Sequence, residues 1–374
     1  MCLTREVCRV SPKRHDAAKA STNVHIVYLH SDDYARLTGG YVYNGRLVAA
    51  LSAQVETLTG LSVPVAFPTI DEAGRARLTE AFMQLPADAV LLSDHLHIAD
   101  LAPQLAARRF RVVSIFHHSR TIEDSVSGRP SDREAERRGF DVCHAVIVTS
   151  DATRDYVVAH YGVAPARIVV AVPGLDPAPR SAGPASRSRK LLTLGAVIPR
   201  KRQDYLVEVA ARLRADGWRW RIVGDLGRDP AYVAALRDRI AAAGLAGRIE
   251  LAGGIGNDEL AHLWSDTALC VAASHYEGYG MAVAEALRRG VPVVTTASGA
   301  VATWAGAGVQ IVPEGDAAAF AAILDGLLSD PQALRMLGDE AWTFGAALPT
   351  WDDTFAGMSG RISQAIGAPQ PDFP

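Results

Sequence analysis

The sequence predicts an α/β protein with two successive domains, each built around a parallel sheet. Three observations support this fold class. Short β-branched apolar runs alternate with amphipathic helical segments along most of the chain. The alternation stops at residues 177–190, which are rich in Pro, Ser, Gly and Arg, and then restarts. The length of 374 residues also favours two domains over one.

These patterns predict the strands and helices of the first domain. Its predicted strands are 24–29, 63–67, 89–92, 111–116, 145–149 and 168–172. Its predicted helices are 44–53, 98–109 and a segment from Ser150 through His160, where Ser150 is the N-cap. Residues 1–22 are polar and basic and lack the apolar core of a secretory signal, so we expect a loose tail there. The first domain is therefore expected over residues 23–176.

The second domain is expected over residues 191–350, with 177–190 as the linker. Its predicted strands are 191–197, 219–223, 249–252, 269–273, 291–294 and 309–312. Its predicted helices are 204–214, one opened by Asp229-Pro230, one capped by Asn257, one ending near Gly290, 317–328 and 331–344. Strands that alternate with helices form parallel sheets, in which ligands bind at the carboxyl ends of the strands.

Composition and charge exclude several classes of protein. The formal net charge of −3 gives no electrostatic reason to expect nucleic-acid binding. The four cysteines lie far apart without a C-x-x-C pair, which fits a reducing cytosol and indicates neither a disulfide framework nor a cysteine metal site. No apolar run approaches the roughly 18 residues that a transmembrane helix needs. We therefore predict a cytoplasmic protein without a cofactor.

The most informative stretch is 274–296, SHYEGYGMAVAEALRRGVPVVTT. It predicts a glycine-containing loop, a short helix and a buried strand. The loop carries Glu277, and Glu285 follows about one turn inside the helix. The amide groups at the start of the helix favour an anion, and carboxylates accept hydrogen bonds from sugar hydroxyls. The pattern indicates a site for a phosphorylated sugar compound.

The segment EGYGMAVAE, residues 277–285, resembles the E-x7-E signature of retaining glycosyltransferases with the GT-B fold, especially glycosyltransferase family 4. The continuation ALRRGVPVV and the preceding strand strengthen this resemblance. It implies two Rossmann-like domains with parallel sheets facing across a cleft and a C-terminal helix, within 351–374, that crosses back to the first domain. It also implies transfer of a sugar from a UDP-, GDP- or ADP-linked donor to an acceptor that the sequence does not identify.

The resemblance also implies roles for the residues of this stretch. Glu285 would bind the donor ribose, and Glu277 would hold sugar hydroxyls and stabilise positive charge at the anomeric carbon. The donor-binding residues at the start of the helix would be Gly278, Tyr279, Gly280 and Met281. The alternative is a solvated helix whose acidic residues have no function.

A second informative loop, residues 195–202, ends in Arg200, Lys201 and Arg202 directly before a predicted helix. Cations are disfavoured at a helix N-terminus, so an anion that shares the site would offset the repulsion. The resemblance implies that Lys201 contacts the donor diphosphate, with Arg200 beside it. Ala196 departs from the pattern, because many relatives carry an arginine there. The alternative is a basic turn whose charges extend into water.

In the first domain, Gly39 and Gly40 are predicted to lie in a loop, and the resemblance implies that their backbone approaches the donor phosphates and the sugar. His118, or its neighbour His117, matches the histidine that meets the transferred sugar. A flexible loop and a hydrogen-bonded structural histidine are the alternatives. The histidine pair lacks a third ligand and Asp32-Asp33 lacks D-x-D spacing, so no metal is predicted and the transferase should be metal-independent.

Two further segments carry weaker predictions. The resemblance makes Gly254 and Ile255 candidates for contact with the nucleotide base, and a plain turn is the alternative; the segment lacks G-x-G-x-x-G spacing. Arg108, Arg109 and Arg111, with Phe110, could dock on anionic lipid at the inner face of a membrane. For this patch, and for 129–138 with its interspersed acids, a solvated surface is the favoured interpretation.

Three other functions stay open at this point. A sugar phosphorylase or sugar-nucleotide epimerase on the GT-B scaffold would use similar residues. A dinucleotide-dependent oxidoreductase would require NAD(P) binding. A catalytically silent sugar-nucleotide-binding protein is consistent with Ala196.

Overall fold

The structure is a computed structural model that describes residues 22–31, 38–63, 71–86, 88–107, 110–186 and 188–367. Its chain divides into two compact units. The first ends at Val172 and resumes at Trp351, and the second runs from Pro173 to Thr350. Each unit contains a six-stranded sheet whose strands pair in parallel. The predicted fold class, two α/β halves with parallel sheets, is confirmed.

The first sheet has the strand order β2-β1-β3-β4-β5-β6. Its strands are β1 (Thr22–Ser31), β2 (Val55–Val63), β3 (Val90–Asp94), β4 (Arg111–Phe116), β5 (Ala145–Val148) and β6 (Ile168–Val170). The helices are α1 (Gly39–Ser52), α2 (Glu72–Met83), α3 (His95–Ala106), α4 (Arg120–Val126), α5 (Arg133–Asp141) and α6 (Asp151–Tyr161). Both faces of β3, β4 and β5 are buried, which explains why these strands read as nearly continuous apolar runs.

One prediction for the first unit is wrong. Gly39 and Gly40 form the first turn of α1 rather than a loop, because the Thr38 hydroxyl caps the helix by accepting from the Tyr41 amide at 3.4 Å. The strand predicted at 63–67 lies outside the described residues except for Val63, which is the last residue of β2. Helices α2, α4 and α5 had no sequence prediction, because charged and polar residues are frequent in their sequences.

The second sheet has the order β12-β11-β10-β7-β8-β9. Its strands are β7 (Lys190–Leu194), β8 (Arg219–Val223), β9 (Ile249–Gly253), β10 (Leu269–Ala272), β11 (Val293–Thr296) and β12 (Val309–Val312). The helices are α7 (Gln203–Ala210), α8 (Pro230–Ala242), α9 (Asn257–Asp266), α10 (Met281–Arg288), α11 (Val301–Trp304), α12 (Ala317–Ser329) and α13 (Pro331–Ala346). Trp218, Trp220 and Phe320 fill its core.

Residues 177–186, within the predicted linker, pack on the second unit. The Ser181 amide donates to the Arg289 carbonyl at 2.8 Å, and the Ala182 amide donates to the Ser265 carbonyl at 2.9 Å. Gly183 lies against the Thr267 backbone with no room for a side chain. The ordering of this segment by backbone hydrogen bonds is not visible in its composition.

The C-terminal segment packs on the first unit, as predicted. It forms two helices, α14 (Trp351–Phe355) and α15 (Met358–Ile366), rather than one. Gly357 has φ 60°, a left-handed backbone that ends one helix and begins the next. The rings of Trp351 and Phe355 contact the buried Tyr43 ring at centroid distances of 6.1 and 5.5 Å.

Candidate functional site

The candidate site lies where the chain direction reverses in the second sheet. From the central strand β7 the chain proceeds outward through β8 and β9, then returns to the other side of β7 with β10 and continues to β11 and β12. The loops after β7 and β10 therefore leave neighbouring strands in opposite directions. Crevices at such switch points are the usual ligand sites of parallel α/β sheets. These two loops are the basic turn, residues 195–202, and the acidic loop, residues 274–280.

Arg200 joins the basic turn to the acidic loop through two hydrogen bonds to the backbone of that loop. Its carbonyl accepts from the His275 amide at 2.9 Å, and its Nη1 donates to the Tyr276 carbonyl at 2.8 Å. The guanidinium also lies 3.8 Å from Glu277 Oε2 and is only 8% exposed. Because it is buried and its Nη1 is held by the Tyr276 carbonyl, Arg200 acts as a fixed positive charge beside Glu277.

Lys201 and Glu277 form a direct ion pair at the centre of the site. Lys201 Nζ donates to Glu277 Oε1, and the Ser274 hydroxyl donates to the same oxygen at 2.6 Å. Burial alone would raise the pKa of Glu277, but the charges of Lys201 and Arg200 and these two hydrogen bonds lower it to about 2. Glu277 is therefore ionised at any physiological pH.

The charges of the basic turn are compensated within the chain. The sequence suggests that an external anion offsets three adjacent cations before a helix. In the structure Glu277 faces Lys201 and Arg200, and Glu314 pairs with Arg202 at 2.8 Å. A bound diphosphate would therefore join an existing ion-pair cluster rather than neutralise free cations.

Arg202 adopts a left-handed backbone, with φ 52° and ψ 43°. It is the one non-glycine residue with positive φ among the described parts of the chain. This conformation costs an L-residue with a β-carbon about 1–2 kcal/mol. Strained residues of this kind concentrate at functional sites.

The glycines of the acidic loop allow a backbone path that side chains would block. Gly280 precedes α10 with φ 97°, and a β-carbon there would overlap Val301. Tyr279 is buried and stacks on Trp304 with ring centroids 4.9 Å apart, and the Trp304 indole donates to the Tyr279 carbonyl at 2.6 Å. The predicted donor-binding role of Tyr279 could therefore involve only its backbone.

Replacing Gly280 with alanine is expected to destabilise the protein by about 2 kcal/mol or more, because the new methyl group meets Val301 and the left-handed backbone becomes strained. Urea unfolding followed by circular dichroism measures this. The matched control is Gly326→Ala inside α12, where the added methyl group meets no neighbouring atom and helix propensity should stabilise the protein by about 0.5–1 kcal/mol. Equal effects of the two variants would contradict this account of Gly280.

Glu285 lies in the middle of α10 and is half-buried. Burial raises the pKa of its carboxyl group; Arg289 opposes this shift and Asp176 adds to it. No hydrogen-bond partner for this carboxylate is found among the described residues, and Arg289 donates instead to the Glu285 carbonyl at 3.1 Å. A half-buried carboxylate without a protein hydrogen-bond partner is suited to accepting hydrogen bonds from ligand hydroxyls. Met281 is half-buried in the first turn of the same helix.

The predicted base-contact residues lie further along the sheet. Gly254 and Ile255 follow β9, which is separated from β7 by β8. Gly254 is exposed, whereas Ile255 packs against the core beside α10. The loop after β8 contacts the basic turn, because the Val197 amide donates to the Asp225 carbonyl at 3.0 Å.

The predicted residues of the first unit surround the ends of β3 and β4. Gly40 lies against the His117 ring, and a β-carbon at Gly40 would be 3.3 Å from its Cδ2. His117 Nε2 lies 2.9 Å from Asn44 Oδ1 and 3.7 Å from Asp94 Oδ2. Burial lowers the pKa of His117, which Asp94 partly counteracts. The side chain that accompanies Gly40 is thus His117.

His118 belongs to a neighbouring group of charges. Its Nε2 lies 2.9 Å from Glu123 Oε2, and Arg129 lies 3.8 Å from the other oxygen of the same carboxylate. The side chains of adjacent residues at the end of a strand point in different directions. The two histidines that match the family histidine, His117 and His118, therefore lie in different surroundings. The assignment of His118 to the transferred sugar stays a prediction.

Glu136 is a residue that sequence reasoning missed. The segment 129–138 was expected to be solvated, but Glu136 is only 4% exposed. Its carboxylate accepts from the Ser119 hydroxyl at 2.7 Å, the Arg120 amide at 2.9 Å, the Thr121 hydroxyl at 2.8 Å and the Tyr161 hydroxyl at 2.5 Å. It thereby fixes the start of α4, directly after the two histidines. Helical spacing could have predicted this burial. Glu136 precedes Gly139 and Phe140 by three and four residues, so all three lie on the same buried side of α5.

Phe110, the apolar residue of the predicted lipid-docking patch, is buried in the structure. Phe110 is 6% exposed and packs edge-on against Phe82 at 5.8 Å, while Arg108 and Arg109 lie outside the described residues. In the described part of the chain, no helix combines the length and apolarity needed to cross a bilayer. The same part contains no group of three potential metal-ligating side chains; Asp32 and Asp33 lie outside it.

Two known protein families match parts of this chain. The family described as "Glycosyl transferases group 1" matches residues 177–343, which contain the basic turn, Glu277 and Glu285. The family described as "Glycosyltransferase Family 4" matches residues 60–179. Residues 177–343, nearly all of the second unit, form a group 1 glycosyltransferase domain.

Relatives within the group 1 glycosyltransferases are distant. D-inositol 3-phosphate glycosyltransferase of Kineococcus radiotolerans is 30% identical over 236 residues, which cover 55% of this chain and 54% of that protein. The match thus spans about half the length of this relative. MMP alpha-(1->4)-mannosyltransferase of Mycolicibacterium hassiacum is 25% identical over 283 residues, covering 70% of this chain and 67% of that protein.

Solved structures show that this chain has the GT-B fold. Sucrose-phosphate synthase from Thermosynechococcus elongatus superposes with a TM-score of 0.75 at 19% identity, covering 92% of this chain and all of that one. Anabaena HepE, solved with UDP and with UDP-glucose, superposes with TM-scores of 0.70 and 0.71 at 15% and 16% identity, each covering 91% of this chain and all of that one. At these identities the likeness establishes the fold alone.

Proposed function

We propose that this chain transfers a sugar from a nucleotide-sugar donor to an acceptor with retention of the anomeric configuration. The observation that carries the proposal is the ion-pair cluster of Lys201, Arg200 and Glu277 at the switch point of the second sheet, with the half-buried carboxylate of Glu285 on the adjoining helix. Cations, backbone amides and two carboxylates are what a sugar diphosphate requires.

Each group has a defined task in this reaction. Lys201 and Arg200 stabilise the negative charge that builds on the departing diphosphate, together with the amides at the start of α10. Glu277, ionised at neutral pH, accepts hydrogen bonds from sugar hydroxyls and stabilises positive charge at the anomeric carbon. Glu285 accepts hydrogen bonds from the ribose. Phosphate charge is met by side chains, so we propose that no metal ion is required.

Related proteins support the choice of ligands. HepE has been solved in complex with UDP and with UDP-glucose, which makes UDP-sugars the first donors to test. Several relatives are named D-inositol 3-phosphate glycosyltransferase, which makes D-inositol 3-phosphate the first acceptor to test. GDP- and ADP-linked sugars complete the donor panel.

The test is a panel of thermal-shift and turnover measurements. UDP, GDP, ADP and their sugar conjugates are added to the protein, and a ligand that binds only the native state raises Tm. Transfer is then measured with each stabilising donor, and the anomeric configuration of the product is read by NMR. We expect transfer with retention and an unchanged rate in EDTA.

Other outcomes of the same panel would replace the proposal. Phosphorolysis of a sugar with inorganic phosphate would identify a phosphorylase, and isomerised donor would identify an epimerase. Binding without turnover of any donor would indicate a silent sugar-nucleotide-binding protein. Inversion at the anomeric carbon would overturn the proposal of a retaining reaction. A rate that is lost in EDTA and restored by Mg²⁺ would overturn the proposal that no metal ion is required.

A further inference from the structure

Arg202 occupies a backbone position that ordinarily belongs to glycine. Across the described parts of the chain the other residues with positive φ are all glycines, at thirteen positions. Glycine reaches this region without strain because it lacks a β-carbon, and asparagine tolerates it better than most residues. An arginine there lowers stability unless its side chain provides a compensating interaction.

The Arg202 side chain joins three loops at the carboxyl edge of the second sheet. Its Nη1 donates to Glu314 Oε1 at 2.8 Å, and its guanidinium lies 4.5 Å from the centroid of the Tyr205 ring. His275 Nδ1 lies 3.0 Å from the same Glu314 oxygen. Arg202 follows β7, His275 follows β10 and Glu314 follows β12. One carboxylate thus connects the basic turn to the start of the acidic loop.

His275 is directly connected to the residues that hold Glu277. Its amide donates to the Arg200 carbonyl at 2.9 Å. The preceding residue, Ser274, donates through its hydroxyl to Glu277 Oε1 at 2.6 Å. A displacement of His275 therefore changes the hydrogen bond and the ion pair that orient the Glu277 carboxylate.

The ion pair with Glu314 and the cation–π contact with Tyr205 at most balance the strain of the Arg202 backbone. Glu314 is 51% exposed, and ion pairs to exposed carboxylates contribute little to folding because water competes for both charges. The left-handed backbone of Arg202 is a stability cost of at least similar size. Arginine thus occupies a position where glycine would relieve the backbone strain, and its side chain contacts loops of the site, which points to a role there.

We propose that Arg202 is a positioning residue that acts through Glu314 and His275 to hold the Glu277 loop in its reactive geometry. The inference rests on the proposed function, because Glu277 is assigned there to the transferred sugar. It adds a third member of the basic turn to the site, one that contacts neither donor phosphate nor sugar.

The test uses variants that separate strain from side-chain loss. Arg202→Gly removes the backbone strain and the side chain together. Arg202→Asn removes the charge but places a residue that tolerates the left-handed backbone. We expect an unchanged or higher Tm for Arg202→Gly, a kcat about 10- to 100-fold lower in both variants, and a donor KM within about 2-fold of wild type. Arg202→Lys, which keeps the ion pair, should retain most of kcat. A wild-type kcat in Arg202→Gly would overturn the inference.

Coupling to Glu314 distinguishes positioning from direct contact. If Arg202 acts through Glu314, Glu314→Gln should lower kcat as much as Arg202→Gly, and the double variant should be no worse than either single one. Additive losses would overturn the relay through Glu314.

A second readout does not depend on turnover. In Arg202→Gly and Glu314→Gln, the pKa of Glu277, measured by NMR of its labelled carboxyl carbon, should rise from about 2 because its contacts with Lys201 and Ser274 loosen. An unchanged value would overturn the inference even if the wild-type protein transferred no sugar. Absence of wild-type transfer with an altered Glu277 pKa would instead defeat only the proposed function.

Discussion

Glu277→Ala is expected to lower kcat for sugar transfer by about 10²–10³-fold while changing the donor KM by only a few-fold. The reason is that Glu277 acts where positive charge develops at the anomeric carbon, so its interaction is stronger in the transition state than in the bound donor. Steady-state kinetics with the stabilising donor from the thermal-shift panel measures the two constants separately.

Removing Glu277 also leaves two cations without their shared anion. Arg200 and Lys201 are 8% and 17% exposed, so Glu277→Ala should lower Tm, and Glu277→Gln is the milder second variant. Glu340→Gln, at an exposed carboxylate on α13, is the matched control and should leave rate and Tm unchanged. Full activity in both Glu277 variants would mean that the site has been assigned to the wrong residues.

The Glu277 variants should also change the acid stability of the protein. The pKa of Glu277 is lowered in the folded state, to about 2 from an ordinary value of 4.5, so its ionised form stabilises the native protein. That contribution is fully present above about pH 4.5 and is lost as the pH falls through about 2. The difference in unfolding free energy between wild type and Glu277→Gln should therefore shrink across this window.

Glu285→Gln is expected to weaken donor binding by about 10- to 100-fold, the loss typical of a hydrogen bond to a charged acceptor, with a smaller effect on kcat. Because burial raises the pKa of Glu285, its ionised form is disfavoured in the free protein. The free variant should therefore have a higher Tm than wild type at neutral pH, although it binds the donor less tightly. Isothermal titration with the donor and a thermal melt without it test the two statements.

The pH dependence of donor binding gives an independent check on Glu285. Its carboxylate accepts hydrogen bonds from hydroxyls as an anion, and protonation occurs at a higher pH than for an ordinary glutamate. The donor Kd of the wild type should therefore rise as the pH falls toward the raised pKa, above 4.5. The Kd of Glu285→Gln should not show this rise, and parallel curves would remove Glu285 from the ribose site.

Local patterns in the sequence were sufficient for the motifs. A glycine loop, a short helix and a β-branched run are each encoded by adjacent residues, so the surroundings of Glu277 and Glu285 could be predicted, as could the basic turn with Lys201. Backbone context was harder. Gly39 and Gly40 have poor helix propensity, yet the Thr38 cap and the buried side of α1 place them in a helix.

Side-chain direction and burial could not be predicted for isolated polar residues. Glu136 lies in a highly charged segment, and only the packing of α5 shows that its carboxylate faces Ser119 and Tyr161. His117 and His118 are adjacent in sequence, and the backbone at the end of β4 decides which of them contacts Gly40. Such choices depend on neighbours that are distant in the chain.

The sequence by itself determined the alternation of strands and helices, the two parallel sheets and the two charged loops, because each depends on interactions among nearby residues. Only the tertiary structure decided that these loops form one site. Lys201 and Glu277 are 76 residues apart, and they meet because β7 and β10 are neighbours in the sheet. Strand order is set by the packing of the whole unit, and it converts a basic turn and an acidic loop into a single ion-pair cluster.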